Sequence, residues 1–361
     1  MNNRVRIGNV IKFAGAYVAC AIGSGFATGQ EILQFFTSFG RSGIIGTFIT
    51  MVVFAWCGGV FMKNGYELQL DAPGDIVGYY FGSRIAKVFG IITQVFLYGV
   101  YIIMIAGAGA TLSEYFGLDP MVGRIGMALL AFLTVILGLS KLTDILGSLG
   151  TAIIVFSVGI GIYSFLSNPS GISAAEAVLP TVEIEKAAGN WFLSGLLYPS
   201  FNAVVVVILS GGIGKSASSA REAFLGGALG GVLFGLAVLA MDLGLLANFS
   251  AIAGKNVPTL VLADRLSPIF GTIFAVIICC GIYTTTVPML WGCVRQFAKD
   301  KSAKFIILAA ALTAVGLVLG MTDFKKLVNI IYPFSGYFGL ALLAFAFFRN
   351  YIQPRIRRKE R

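Results

Sequence analysis

Histidine is absent from this chain of 361 residues, which removes the commonest general base and most zinc chemistry. Charge is scarce as well. Asp, Glu, Lys and Arg make up 12% of the residues against 57% hydrophobic ones, and the mean hydropathy is +0.89. A soluble domain cannot hide that much apolar surface, so a soluble fold is excluded. Cysteine is sparse: Cys20, Cys57, Cys279, Cys280 and Cys293 fall within or at the edges of apolar runs and show no ligand-like spacing. Neither a disulfide framework nor a transition-metal site is expected. No low-complexity tract occurs, and no polar stretch is long enough for a separate domain. With these gone, no enzyme reading survives.

What remains is a series of apolar runs long enough to cross a bilayer. Ten can be read, at 8–38, 42–64, 86–113, 120–139, 143–166, 190–210, 222–247, 268–293, 303–321 and 325–348. The expectation is one all-α integral membrane domain over 1–361, multi-pass in the cell membrane, with a basic tail at 349–361. The first run is too long for a secretory signal peptide. With the N-terminus in the cytoplasm, counting spans puts 19 Lys and Arg on the cytoplasmic side and 7 outside. That is the bias of the positive-inside rule, and it places both termini in the cytoplasm. The net charge of +10 is then explained by orientation and contact with anionic membrane lipid rather than by nucleic acid. The run "GGIGKSAS" (211–218) lacks the first glycine of a phosphate-binding loop, Leu209 standing in its place, and follows a span instead of a strand. It reads as a cytoplasmic loop.

The ten runs divide into two halves, 8–166 and 190–348, separated by the longest external loop. Five is an odd number, so the second half crosses the membrane in the opposite sense. The first run of each half is interrupted: "AIGSGFATGQE" (21–31) in one, "LLYPSFN" (196–202) in the other, where Pro199 removes a backbone donor. Matched interruptions in inverted halves point to a transporter site at mid-membrane. An unwound helix frees backbone groups that lipid cannot satisfy, so the break has to face protein, water or a ligand. A half-helix starting near Phe26 turns its N–H groups to the gap, which suits a carboxylate, and one ending near Ile22 turns carbonyls to it, which suits a cation. Gly23, Ser24, Gly25, Phe26 and Thr28 are the candidate solute-binding residues of the first break, and Tyr198, Ser200, Phe201 and Asn202 those of the second. No Lys or Arg falls in these segments, so a small neutral or zwitterionic solute is expected.

Ionisable groups inside spans are costly and functional by default. Glu31 lies six residues beyond Gly25, about 9 Å along a continuous helix, with Gln30 and Gln34 on its side as a polar access path. Asp242 lies near the external end of its span. These four are the candidates for proton coupling or access. Gln94, Tyr98 and Tyr101 form a stripe at helical spacing. "NVPTLVLADRLSP" (256–268) reads as an external loop with helical character, a candidate lid, and "IYPFSGY" (331–337) as a gate or a proline kink.

"AIGSGFATGQE" resembles the GSG-containing unwound segment of the first helix in amino acid–polyamine–cation transporters, which share the LeuT-type five-plus-five inverted repeat with discontinuous helices 1 and 6. "GSGFATGQE" in a chain of this size is most similar to the YkvI-type bacterial membrane proteins. The loop "LSGGIGKSASSARE" departs from the family's acidic and Asn-Pro pattern and leaves the subfamily open. The resemblance implies a cation-coupled symporter of a small solute, an amino acid first, working by alternating access, with no cofactor beyond a coupling Na+ or H+. It implies a sodium site from the carbonyls of Ala19, Ile22 and Gly281 with the hydroxyls of Thr284 and Thr285 in "GIYTTTVP" (281–288). It also sets Tyr98 or Tyr101 against the solute's carboxylate. Two alternatives stand: a nutrient-sensing receptor subunit of the same fold without sustained transport, and a transporter of a nucleobase or osmolyte. Protein partners are not legible.

Overall fold

Caps and prolines set where the helices begin. Asn190, Ser219 and Ser302 accept from the N–H groups of Leu193, Glu222 and Phe305, and Pro120, Pro258 and Pro268 occupy first helical positions. The computed structural model describes residues 5–69, 75–138 and 143–352, with backbone alone for Ser83 and 143–151. Lys141 and the tail from 353 to 361 lie outside the described residues.

The helices are α1 (Ile7–Ala21), α2 (Ser24–Thr28), α3 (Gln30–Phe35), α4 (Arg41–Leu68), α5 (Asp75–Phe116), α6 (Pro120–Leu137), α7 (Thr143–Ser167), α8 (Gly171–Val178), α9 (Trp191–Lys215), α10 (Ala220–Ala247), α11 (Phe249–Ile252), α12 (Pro258–Leu266), α13 (Pro268–Arg295), α14 (Ala303–Leu319) and α15 (Phe324–Phe347). A 3-10 turn, Thr37–Phe39, follows α3, and a π turn, Phe348–Ile352, ends α15. The described residues contain no strand. Seven helices are long and apolar enough to cross a membrane: α4, α5 from Arg84 on, α6, α9, α10, α13 and α15 with its π turn. An eighth is the pair α7 and α8, bent by 94°. The shorter apolar helices α1 and α14 occupy the two remaining runs.

α4, α9 and α10 pack through glycines. A Cβ on Gly58 of α4 would strike the Gly227 carbonyl of α10, and a Cβ on Gly227 would strike that of Gly58. Gly65 of α4 meets the backbone of Gly211 in α9 in the same way. Without a hydrophobic drive between helices in lipid, such close backbone approach is how they adhere.

One expectation is corrected here. The helix carrying "LLYPSFN" is not interrupted: α9 runs unbroken through Pro199. Proline cannot donate to the carbonyl four residues back, that of Gly195. The Thr50 hydroxyl of α4 donates to it instead, at 2.7 Å, and the Ser200 hydroxyl donates to the Leu196 carbonyl at 2.6 Å. With both carbonyls satisfied by hydroxyls, unwinding is unnecessary.

Replacing Thr50 with Val keeps the shape and leaves the Gly195 carbonyl buried and unpaired, a loss of about 1–3 kcal/mol. Thr50→Val is expected to lower the apparent melting temperature in detergent, while Thr50→Ser, which keeps the hydroxyl, stays near the unmodified protein.

Candidate functional site

The first run does come apart. The hydrogen-bond ladder of α1 stops with the Ile22 N–H on the Val18 carbonyl, and Ile22 and Gly23 are extended. α2 then lasts five residues, and Gly29, with φ of 77°, turns the chain into α3. The Thr259 hydroxyl of α12 donates to the Ala27 carbonyl at this turn. Its methyl carbon leaves no space for a side chain on Gly29, since a Cβ there would lie 2.7 Å away. The candidate lid thus covers the break where the chain turns at Gly29.

The turn at Gly29 changes where Glu31 goes. A straight helix carries it about 9 Å from Gly25. Here its carboxylate folds back onto Gly25, so that a Cβ on that glycine would collide with Glu31 Oε1. Tyr198 of α9 donates to Glu31 Oε2 at 3.3 Å, and the Tyr332 hydroxyl of α15 lies beside the same carboxylate over Gly25. Three elements distant in sequence meet on one acidic side chain.

Beneath this cluster lies a cavity of about 110 Å³. Among the expected residues, Gly23, Ser24, Gly25, Glu31, Phe201, Asn202 and Thr285 line it. Sequence reasoning missed the rest of its wall, chiefly Phe96 and Met104 of α5, Met289 of α13 and Tyr332. Tyr332 lies in "IYPFSGY", the segment expected as a gate or a proline kink, but was not itself singled out. Rings of Phe201 and Tyr332 stack at 4.6 Å and 7°. The Ser24 hydroxyl lies 2.7 Å from Met104 Sδ and 3.2 Å from Thr285 Oγ1. Thr284 and Thr285 both donate to the Gly281 carbonyl, at 2.9 and 3.0 Å. Gly281 itself sits beside Ser24, whereas Ala19, on an exposed side of α1, and Ile22 are not among the residues lining the cavity. Glu31 is the one charged side chain in this lining.

Other expected residues fall elsewhere. Tyr98 and Tyr101 face away from the cavity. The Tyr98 hydroxyl donates to the Leu312 carbonyl of α14 at 2.7 Å, and Tyr101 packs on Gly316 of the same helix. Tyr98 and Tyr101 thus lie on the α14-facing side of α5, whereas Phe96, Val100 and Met104 face the break. Phe26 is buried against Phe234, and the Thr28 hydroxyl donates to the Gly25 carbonyl, so neither lines the cavity. Tyr198 stands behind Glu31 among Phe35, Phe36 and Phe201. The Ser200 hydroxyl is spent on mending α9.

Gln34 is no part of an open path. It is fully buried, donating to the Lys325 carbonyl at 2.9 Å and accepting from Asn329 at 3.2 Å, so it fastens α3 to α15. Gln30 borders a separate outer recess of about 400 Å³ with Glu183, Asp323, Lys255 and Lys325. Asp242 is fully buried on α10, accepts from Thr37 at 2.7 Å, and lies away from the cavity lining. Among the described residues its Oδ2 has no hydrogen-bond partner.

No protein-family model matches the chain. In sequence it is similar to the membrane protein YkvI of Bacillus subtilis (strain 168), 23% identical over 336 residues that span 93% of this chain and 94% of that protein. It is similar also to YyaD of the same organism, 26% identical over 325 residues, 89% of this chain and 91% of that one. In structure it is similar to MhsT in complex with L-phenylalanine, with a TM-score of 0.62 at 15% identity, covering 94% of this chain and 89% of that. A Na+-coupled sialic acid symporter in a substrate-bound outward-open state gives 0.57 at 15% identity over 94% and 78%. A manganese transporter of Eremococcus coleocola gives 0.57 at 15% identity over 93% and 77%. The chain has the LeuT fold of these transporters, and it is a multi-pass membrane protein.

The contact between Gly25 and Glu31 makes a mutational prediction. Gly25→Ala is expected to lower the apparent melting temperature by displacing Glu31, an overpacking cost of about 1–3 kcal/mol. Glu31→Ala vacates the space, so the double variant Gly25→Ala/Glu31→Ala is expected to be more stable than the sum of the single losses. Strict additivity of the two shifts would show that the side chains do not meet.

Proposed function

We propose that the chain is a cation-coupled secondary transporter, a symporter of a small zwitterionic solute of the amino-acid kind, working by alternating access across ten spans in two inverted halves. Both termini lie in the cytoplasm in this reading. The observation that carries it is the break at Ile22–Gly23, opening on a small cavity whose one charged side chain is Glu31. A break that faced hydrocarbon would leave polar backbone unsatisfied; this one faces a cavity with hydroxyls, an amide and a carboxylate.

Roles follow from chemistry. The carbonyl end of α1, with Ala19 and Ile22, together with the Gly281 carbonyl and the hydroxyls of Thr284 and Thr285, holds sodium. Each threonine gives its proton to Gly281 and so keeps oxygen lone pairs for a cation, while the Gly281 carbonyl, which accepts both protons here, joins the ion by releasing them. Glu31 meets the ammonium group of the solute, since a buried carboxylate calls for a positive partner and no Lys or Arg lines the cavity. Phe96, Phe201 and Tyr332 surround the solute's apolar part. A single carboxylate among aromatic and thioether groups suits an organic solute better than a divalent metal ion.

Uptake into proteoliposomes tests this. Labelled neutral amino acids are expected to accumulate under an inward sodium gradient and not under a potassium gradient. Accumulation driven by a proton gradient without sodium would move the coupling to Glu31. Binding of a solute with no accumulation under any gradient would make the protein a sensor.

Two substitutions sharpen the assignment. Thr284→Ala with Thr285→Ala is expected to abolish the dependence of uptake on sodium; full sodium-driven uptake by that variant would remove the ion site. Glu31→Gln removes a charge-assisted bond of about 1.5–3 kcal/mol, so solute affinity is expected to fall tenfold or more in a titration of thermal stability.

A further inference from the structure

A recess of about 460 Å³ opens where α4, α10 and the end of α15 meet, on the face of the molecule remote from α12. Lys63 and Arg221 line it, with Asn64, Asn350, Tyr351 and Phe224. By the charge count this is the cytoplasmic end of all three helices.

Its construction is specific. The π turn at Phe348–Ile352 swings Asn350 and Tyr351 over the end of α4. Asn64 donates to Asn350 Oδ1 at 3.2 Å, and both amides donate to the Tyr80 hydroxyl. These bonds fix the floor without using the cations. Arg349, the nearby third cation, is occupied: it donates to the Tyr80 carbonyl at 3.0 Å and lies 4.2 Å over the Tyr79 ring.

Lys63 and Arg221 are different. Lys63 has Glu67 at 3.5 Å, both half exposed, a pair that water screens. Arg221 makes no ion pair or hydrogen bond among the described residues. The acidic neighbour of Arg221, Glu222, is engaged with the N–H groups of Arg6 and Ser218 and the Asn9 amide. Tyr351 accepts from Trp56 Nε1 at 3.2 Å, which leaves its own O–H free to donate. Two cations and a phenol donor thus line one recess, and among the described residues a single ion pair, Lys63 with Glu67, offsets them.

The recess is also bordered by greasy, exposed rings. Phe224 is 37% exposed and Phe347 49%, the latter with its ring 5.1 Å from that of Tyr351. A soluble anion would need the cationic side alone. An amphiphile with a phosphate at one end and acyl chains at the other fits both at once.

We propose that this recess binds the headgroup phosphate of an anionic phospholipid, held by Lys63, Arg221 and the Tyr351 hydroxyl, with an acyl chain along Phe224 and Phe347. The lipid bridges the ends of α4, α10 and α15. Nothing in this assignment depends on the transport reading.

Native mass spectrometry and thermal unfolding of the purified full chain, with phosphatidylglycerol, phosphatidylcholine or inorganic phosphate added, test it. Phosphatidylglycerol is expected to be retained and to raise the apparent melting temperature, with phosphatidylcholine and phosphate giving no shift. The Lys63→Gln/Arg221→Gln variant is expected to bind phosphatidylglycerol at least tenfold more weakly, and Tyr351→Phe severalfold. Lys299→Gln/Lys304→Gln, which removes equal charge from exposed cytoplasmic-side positions elsewhere, should retain binding. Equal loss in that control, or unchanged binding in the Lys63/Arg221 variant, would overturn the site. So would a phosphate shift as large as the lipid's, which would make the recess a soluble-anion site. All five positions are exposed or half exposed, and unfolding of the lipid-free variants at the unmodified temperature establishes that they fold.

Discussion

A carbonyl deprived of its amide cannot be left facing hydrocarbon, and two places in this chain answer that requirement differently. At Pro199 the orphaned Gly195 carbonyl is taken by Thr50, and the neighbouring Leu196 carbonyl by Ser200, so α9 stays whole. At Ile22–Gly23 no side chain among the described residues mends the ladder, and Gly23 borders a cavity instead. Satisfaction of the backbone therefore decides which of two similar interruptions becomes a site. The rest of the molecule is arranged around the second outcome.

The glutamate above the break is held by geometry that each part makes possible for the others. Gly29 reverses the chain, Gly25 leaves the space, Tyr198 of α9 donates to the carboxylate and the Tyr332 hydroxyl of α15 lies beside it. Above it, Gln34 ties α3 to α15, and Thr259 closes the outer face of the turn. The cavity lies on the other side, against Phe201, Asn202, Thr285 and Met289. In the arrangement seen here the break is thus sealed toward α12 by polar contacts and bordered below by mostly apolar side chains.

How much of this was legible in the sequence depends on whether a feature is local. The break at "GSG" is local: three small residues and the polar stretch after them are unsuited to a helix in lipid. The continuity of α9 is not, because Pro199 announces a missing donor, while the hydroxyl that replaces it stands on α4 nearly 150 residues away. Helical spacing correctly grouped Tyr98 with Tyr101 but carries no information on which neighbour the stripe faces, and it faces α14. Glu31 was legible as an ionisable group in a span, yet its return to Gly25 hangs on a single left-handed glycine. Tyr332 was overlooked since one aromatic beside a proline has no periodic pattern to mark it.

The contact of α4 with α9 and α10 runs backbone on backbone at Gly58, Gly227, Gly65 and Gly211. Side chains in an ordinary interface change rotamer to let helices slide; at these four positions there are none to change. Sliding α4 along α9 or α10 would therefore drive carbonyl into Cα at those points. The cavity wall of α5 and α13 is built differently, from the unbranched thioethers of Met104 and Met289, which repack at little cost.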